Sequence, residues 1–230
     1  MNLDAATKRQ LTSIISKGLY AGCFSDGKKK FCLQNACSKI LDNEPHSEQP
    51  QCVHPIDAQY WVMINDLGWE SIHKRAEALL PAAFAQLNTN SKSERIFWRK
   101  RVARNILTTI VGPMFLPINE EVSRELSRAK TVNALLAVYE KINDLYNKYH
   151  WTDDESNDFV LSQYNYDLFE ALFCLTQEIF DQELIINMEE MSESICLLES
   201  TIVKPDRKQL RHRLVEAGLD AYAQEGRYNP

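Results

Sequence analysis

The chain has 230 residues, with 26 Lys+Arg against 32 Asp+Glu and a formal charge of −6. Its 44% apolar and 25% charged residues exclude a disordered or collagen-like chain, and only 7 Gly and 8 Pro exclude a turn-rich all-β one. An acidic balance of this kind also argues against the whole protein binding nucleic acid.

In chain order, Asp4 is placed to cap a first helix that turns Leu11, Ile14 and Ile15 to one face and ends at Gly18. Lys8, Arg9 and Lys17 interrupt any apolar signal core here, so a cytoplasmic location is expected. A Gly- and Lys-containing loop, 22–30, leads to a helix from about Phe31, with Leu33, Cys37, Ile40 and Leu41 on its buried face. Pro45, Pro50 and Pro55 then keep residues 42–55 out of helix and central strand. Helices are predicted over 56–65 and 70–87, the second kinked at Pro81. Ser91-Lys-Ser-Glu94 reads as a capping box for a helix reaching Val111, with Phe97 among its apolar stripe, and 112–117 as a loop. The longest uncharged apolar stretch, 105–119, is too short to span a bilayer and is broken by Gly112, Pro113 and Pro117.

From Asn119 the pattern stays helical. Val132, Leu135, Leu136, Tyr139, Ile142, Leu145, Tyr146 and Tyr149 recur at helical gaps and suit a bundle. Thr152-Asp-Asp-Glu155 reads as a second capping box, Pro205 as a stop, and Asp206-Arg-Lys-Gln209 as the start of a last helix to about Ala223. The expected fold is all-α, a multi-helix bundle-like domain with a loop-rich N-terminal subdomain. The expected organisation is residues 1–90 as that subdomain, carrying a Cys/His cluster, and 91–230 as a helical bundle containing an acidic block at 151–203.

Four of the six Cys and two of the five His lie between Cys23 and His54. Cys23, Cys52 and His54 are the candidate ligands for a structural zinc, yet the paired Cys-x₂₋₄-Cys knuckles that usually deliver them are missing. Cys32 and Cys37 would point about 140° apart on a helix. A nucleophile is the alternative. Cys32 stands at a helix start just after Lys28, Lys29 and Lys30, and both features lower a thiol pKa. His46 or His54 would then serve as base. The plain reading is that these Cys are small buried hydrophobes, with no cofactor. Glu70-x-x-His73 is a single metal-ligand spacing where a di-iron bundle needs two, and phosphate-loop, dinucleotide, zincin and nucleophile-elbow motifs are absent.

Residues Phe31-Cys32, Pro45-His46-Ser47, Cys52-Val-His-Pro55, Leu67 with Trp69, Arg75-Ala76-Glu77 and Ala85-Gln-Leu87 carry a resemblance. The run 27–87 resembles a short domain of uncharacterised bacterial proteins. The resemblance implies no activity, only that the Cys/His loop and the helices after it fold as one unit.

Charge layout is the most pronounced pattern. Residues 151–203 hold thirteen carboxylates and no Lys, Arg or His. Lys92–Arg104 carries six basic residues against Glu94, and Lys204–Arg213 five against Asp206. Internal pairing explains part of this, and the stripe Arg95, Arg99, Lys100, Arg101, Arg104 could touch phosphate locally. The expected function is a non-enzymatic helical binding or regulatory protein, for instance a phage- or bacterium-encoded inhibitor. It would present acidic residues such as Glu183, Glu190 and Glu193 to a basic protein, in a complex or as a homo-oligomer, away from membranes. The alternative is a cysteine-dependent enzyme using Cys32 with His46 or His54.

Overall fold

The computed structural model describes residues 4–22, 30–44, 47–90, 95–150, 163–180, 189–202 and 204–226. Every regular element among them is helical: α1 (Ala5–Ile15), α2 (Leu33–Leu41), α3 (Pro55–Asp66), α4 (Ile72–Ala85), α5 (Arg95–Ile106), a π turn (Leu107–Val111), α6 (Gly112–Met114), α7 (Glu120–Arg128), α8 (Val132–His150), α9 (Gln163–Phe180), α10 (Glu189–Thr201) and α11 (Lys204–Ala223). The chain is all-α. Both expected capping boxes lie outside the described residues.

The helices start where side-chain acceptors meet the first free N–H groups. Asp4 accepts from Ala6 and Thr7, Ser71 from Lys74, and Asn119 from Val122. Two caps are less usual: the Cys32 thiol accepts from Asn35 and the His54 imidazole from Ile56.

Two compact units form. The first draws on Met1–Arg99 and Arg211–Pro230, the second on Lys100–Glu183 and Glu189–Leu210. The end of α11 therefore belongs with the N-terminal helices, whereas periodicity alone leaves it with the bundle half.

In the first unit α2 is central and packs against α1, α3 and α4. Its residues Leu33 to Ser38 are buried on all sides. Gly18 has φ +114°, and a Cβ there would stand 2.7 Å from Ile72, so both backbone and space require glycine. Buried Arg75 donates to the carbonyls of Leu19 (2.9 Å) and Leu67 (3.2 Å) and fixes the bends after α1 and α3. Around α3, Tyr60, Trp61, Trp98 and Tyr222 interlock, and the Tyr60 hydroxyl donates to Leu214 O at 2.6 Å.

In the second unit the expected loop at Gly112 is instead helix. The helix continues from α5 through the π turn into α6, and Gly112 N–H donates to Leu107 O. The widened turn accommodates Pro113, which has no N–H to give. Gly112 is close-packed: a Cβ there would lie 2.6 Å from Ser127 Oγ and 3.0 Å from its backbone nitrogen. Phe115, Tyr139, Tyr146, Phe169 and Phe173 form an aromatic core from α6 to α9.

Three expected core residues are not core. Phe97, Val132 and Leu136 are 57%, 49% and 42% exposed. α5 buries the neighbouring Trp98 instead, while α8 buries the expected Leu135 and Ile142 together with Val138, a narrower stripe than the sequence pattern offers.

Candidate functional site

The cysteine–histidine region comes first. Cys32 is buried at the N-terminus of α2, and its Sγ accepts from Asn35 N at 3.4 Å. Burial pushes the thiol up to about 12, despite hydrogen bonds from Asn35 and Gln34 that pull the other way. The activation expected at a helix start is thus overridden by desolvation. Cys37 is fully buried, takes a 3.6 Å contact from Gln86 Nε2, and is also pushed up by burial. Half-buried Cys52 packs with Leu41 and Phe84 against Val53, Ala58 and Leu87, and burial raises it too. Cys23, His46, Lys28 and Lys29 lie outside the described residues.

His54 has a local task. Its Nδ1 accepts from Ile56 N at 3.3 Å, and the His54 backbone N–H donates to Thr89 Oγ1 at 2.9 Å. Burial lowers its pKa; Arg95 also lowers it, and Asp57 opposes. No hydrogen bond joins Cys32 to His54 among the described residues. Nor do three His, Cys, Asp or Glu side chains stand together there as metal ligands. The chemistry this region supports is packing and capping.

The basic stripe is corrected more sharply. Arg95 and Arg99 are 1% and 2% exposed, so neither offers its charge to a phosphate. Arg95 donates to both Asp57 oxygens, Nε to Oδ1 at 3.0 Å and Nη2 to Oδ2 at 2.9 Å. Its Nη1 reaches Glu225 Oε2 at 2.6 Å. The Tyr222 hydroxyl donates to Asp57 Oδ2 at 2.8 Å and accepts from Trp61 Nε1 at 3.1 Å. The guanidinium also lies about 5 Å over the rings of Trp98 and Tyr222 (5.2 and 5.4 Å). Burial works against the Arg95 charge, but Asp57 and Glu225 hold its pKa above the ordinary value. Burial likewise pushes the Asp57 carboxyl up, against the pull of Arg95, Tyr222 and Thr89. This is a satisfied internal network that ties α3 to the starts and ends of distant segments. It was missed because Asp57, Arg95 and Tyr222 each read as an ordinary helix residue.

The acidic block has a simpler construction. α9 packs along α10. Leu168, Leu172, Leu175 and Ile179 of α9 are buried, as are Met191, Ile195 and Leu198 of α10. Four of the block's carboxylates have described side chains, and none of the four is buried. Glu193 is exposed, and Asp167, Glu170 and Glu199 are half-buried. The local field is negative enough to register on a neighbour: Glu170 first, with burial and Asp167 adding, raises the pKa of exposed Tyr166. Glu183 and the Glu190 side chain lie outside the described residues.

No helix among the described residues is long and apolar enough to cross a membrane. Comparison of the chain with protein-family models, with curated proteins and with solved structures finds no match.

Proposed function

We propose that the chain is a non-enzymatic helical binding protein whose α9–α10 pair presents a carboxylate face to a basic protein partner in the cytoplasm. The observation that carries this reading is the segment 151–203. It holds thirteen carboxylates and no cation of its own, and its described apolar residues are turned inward. Burying unpaired carboxylates is far too costly, so their place is the wet side. A field of one sign there steers an oppositely charged partner and speeds encounter. The direction of the Tyr166 shift supports the same sign of field. The buried, raised thiol of Cys32 weighs against the alternative of a cysteine-dependent enzyme using it with His46 or His54.

The test uses a Lys/Arg-rich helical peptide as probe. Glu183, Glu190 and Glu193 are changed together to Lys, and a control protein carries Glu120 and Glu121 to Lys on α7. The triple variant is expected to fold and to associate at least tenfold more slowly, with the difference shrinking as salt rises and screening shortens to about 10 Å at 0.1 M. Equal loss in the control, or no loss in the triple variant, refutes an acidic docking face on α9–α10.

A further inference from the structure

The outward side of α9 carries a row of side chains that the aromatic core does not use. Leu168, Leu172, Leu175 and Ile179 of this helix are buried. Tyr166, Glu170 and Cys174 recur at every fourth position and line up on another side, about 6 Å apart along the axis. Tyr166 is 39% exposed, and Glu170 and Cys174 are half-buried. Exposed Glu193 of α10 joins the end of the row, with its Oε2 4.0 Å from Cys174 Sγ. An exposed aromatic ring, a carboxylate one turn along and a second carboxylate two turns along therefore share one face of the α9–α10 pair.

Neither carboxylate has a cation. Residues 151–203 hold no Lys, Arg or His, and the ion pairs among the described residues engage neither Glu170 nor Glu193. The charge of Glu170 reaches the Tyr166 hydroxyl and is the main cause of its raised pKa. A tyrosine ring attracts a cation lying within about 6 Å of its centre. Arginine and lysine differ in how they use such a place. The flat, weakly hydrated guanidinium lies on the ring and still directs a fork of N–H groups at a neighbouring carboxylate. The ammonium is a compact, strongly hydrated point charge that gains mainly from the carboxylate.

We propose, resting on the acidic-face reading above, that Tyr166 anchors that face and that the partner is a helix bearing two arginines one turn apart. One guanidinium lies on the Tyr166 ring and bonds Glu170; the other bonds Glu193. The spacing matches, because four residues of a partner helix advance by the same distance as the step from Glu170 to Cys174. The long-range field sets how fast any cation arrives, whereas ring stacking and forked bonding set how long it stays and separate arginine from lysine.

The test uses the full chain and two helical peptides that differ only in carrying Arg or Lys at two positions four apart. Binding kinetics are measured by surface plasmon resonance for the parent, Tyr166→Leu and Tyr166→Phe. The Arg peptide should leave the parent about five- to tenfold more slowly than the Lys peptide, while both arrive at similar, salt-sensitive rates. Tyr166→Leu should bring the two dissociation rates within about twofold and leave association unchanged, and Tyr166→Phe, which keeps the ring, should retain the preference. Equal dissociation from the parent, or a preference that survives in Tyr166→Leu, overturns the proposal, and fast salt-sensitive association in that case leaves the acidic face itself standing. Failure of both peptides to bind the parent refutes both readings. A parent dimer that Tyr166→Leu dissociates in sedimentation would mean that a second copy covers this face, and overturns the proposal too.

Discussion

Arg95→Met is the most informative single perturbation of this fold. The methionine fills most of the space of the guanidinium stem but gives nothing to Asp57, which stays buried with only the neutral hydroxyls of Tyr222 and Thr89 beside it. Removing one member of a buried pair leaves an uncompensated charge and costs about 3–5 kcal/mol. At about 2–4 °C per kcal/mol for a chain of this length, Tm should fall by roughly 6–20 °C. Glu225 loses its partner too, but its side chain is 11% exposed and can turn to water, so it adds little.

The pH dependence separates this account from a simple loss of packing. Burial already pushes the Asp57 carboxyl above its ordinary value of 3.8, and without the guanidinium it rises further. A carboxyl whose folded pKa is raised contributes stability that is present below 3.8 and lost as pH rises through the folded value. The deficit of Arg95→Met relative to the parent should therefore be small near pH 4 and widen toward pH 7. Adding Asp57→Leu removes the stranded charge and should recover most of the loss, as measured by thermal melts of the four proteins in a double-mutant cycle. A pH-independent deficit, a fall in Tm below about 2 °C, or a double variant no better than the single one would refute the reasoning.

Further outcomes are expected at His54, at the cysteines and at Gly218. His54→Ala should cost about 0.5–2 kcal/mol through the lost α3 cap, and His54→Asn much less. Because burial lowers the folded pKa of His54, the parent's stability should fall as pH drops below 6.5, and melts of His54→Asn between pH 8 and pH 5 should lack that part of the fall. Native-state iodoacetamide labelling at pH 7.5, read by mass spectrometry, should modify exposed Cys196 well before Cys32 and Cys37. The Cys32 thiol rises from 9.0 to about 12 on folding, so its contribution to stability should be lost as pH climbs past 9, and Cys32→Ser should flatten that slope. Gly218→Ala ordinarily favours a helix, yet here the new Cβ would meet Tyr60 Cε1 at 2.7 Å and Trp61 Cη2 at 2.8 Å. A Tm decrease equivalent to about 1–3 kcal/mol is expected, and an increase would show that the rings yield.

How far the sequence discloses this molecule depends on the range of the interaction concerned. Asp4 before an apolar stripe, Asn119 before Val122, and the prolines of 42–55 act within four residues, and the helices begin and break close to where those residues say. Gly112-Pro113 misleads because two opposite outcomes share one local signal, a loop or a π turn, and packing against Ser127 selects the second. Cys32 misleads in the same way: a helix start lowers a thiol and burial raises it, and burial is set by α2 standing among α1, α3 and α4. The Asp57–Arg95–Tyr222 network is not legible at all. Its members are separated by 38 and 165 positions, and nothing local distinguishes them from surface residues.

That same network bears on the acidic block. The two basic stretches flanking residues 151–203 supply eleven cations, and simple internal neutralisation of thirteen carboxylates would need nearly all of them. Arg95 is not available for this, because Asp57 and Glu225 hold it at 3.0 Å or less inside the first unit. Arg99, 2% exposed, presents no charge to solvent either. Even where surface pairs do form, each contributes only about 0–1 kcal/mol and leaves the long-range field largely in place. With Arg95 withdrawn, fewer cations remain to offset the thirteen carboxylates of residues 151–203. An uncancelled field of that sign on α9–α10 is the physical condition the proposed function requires.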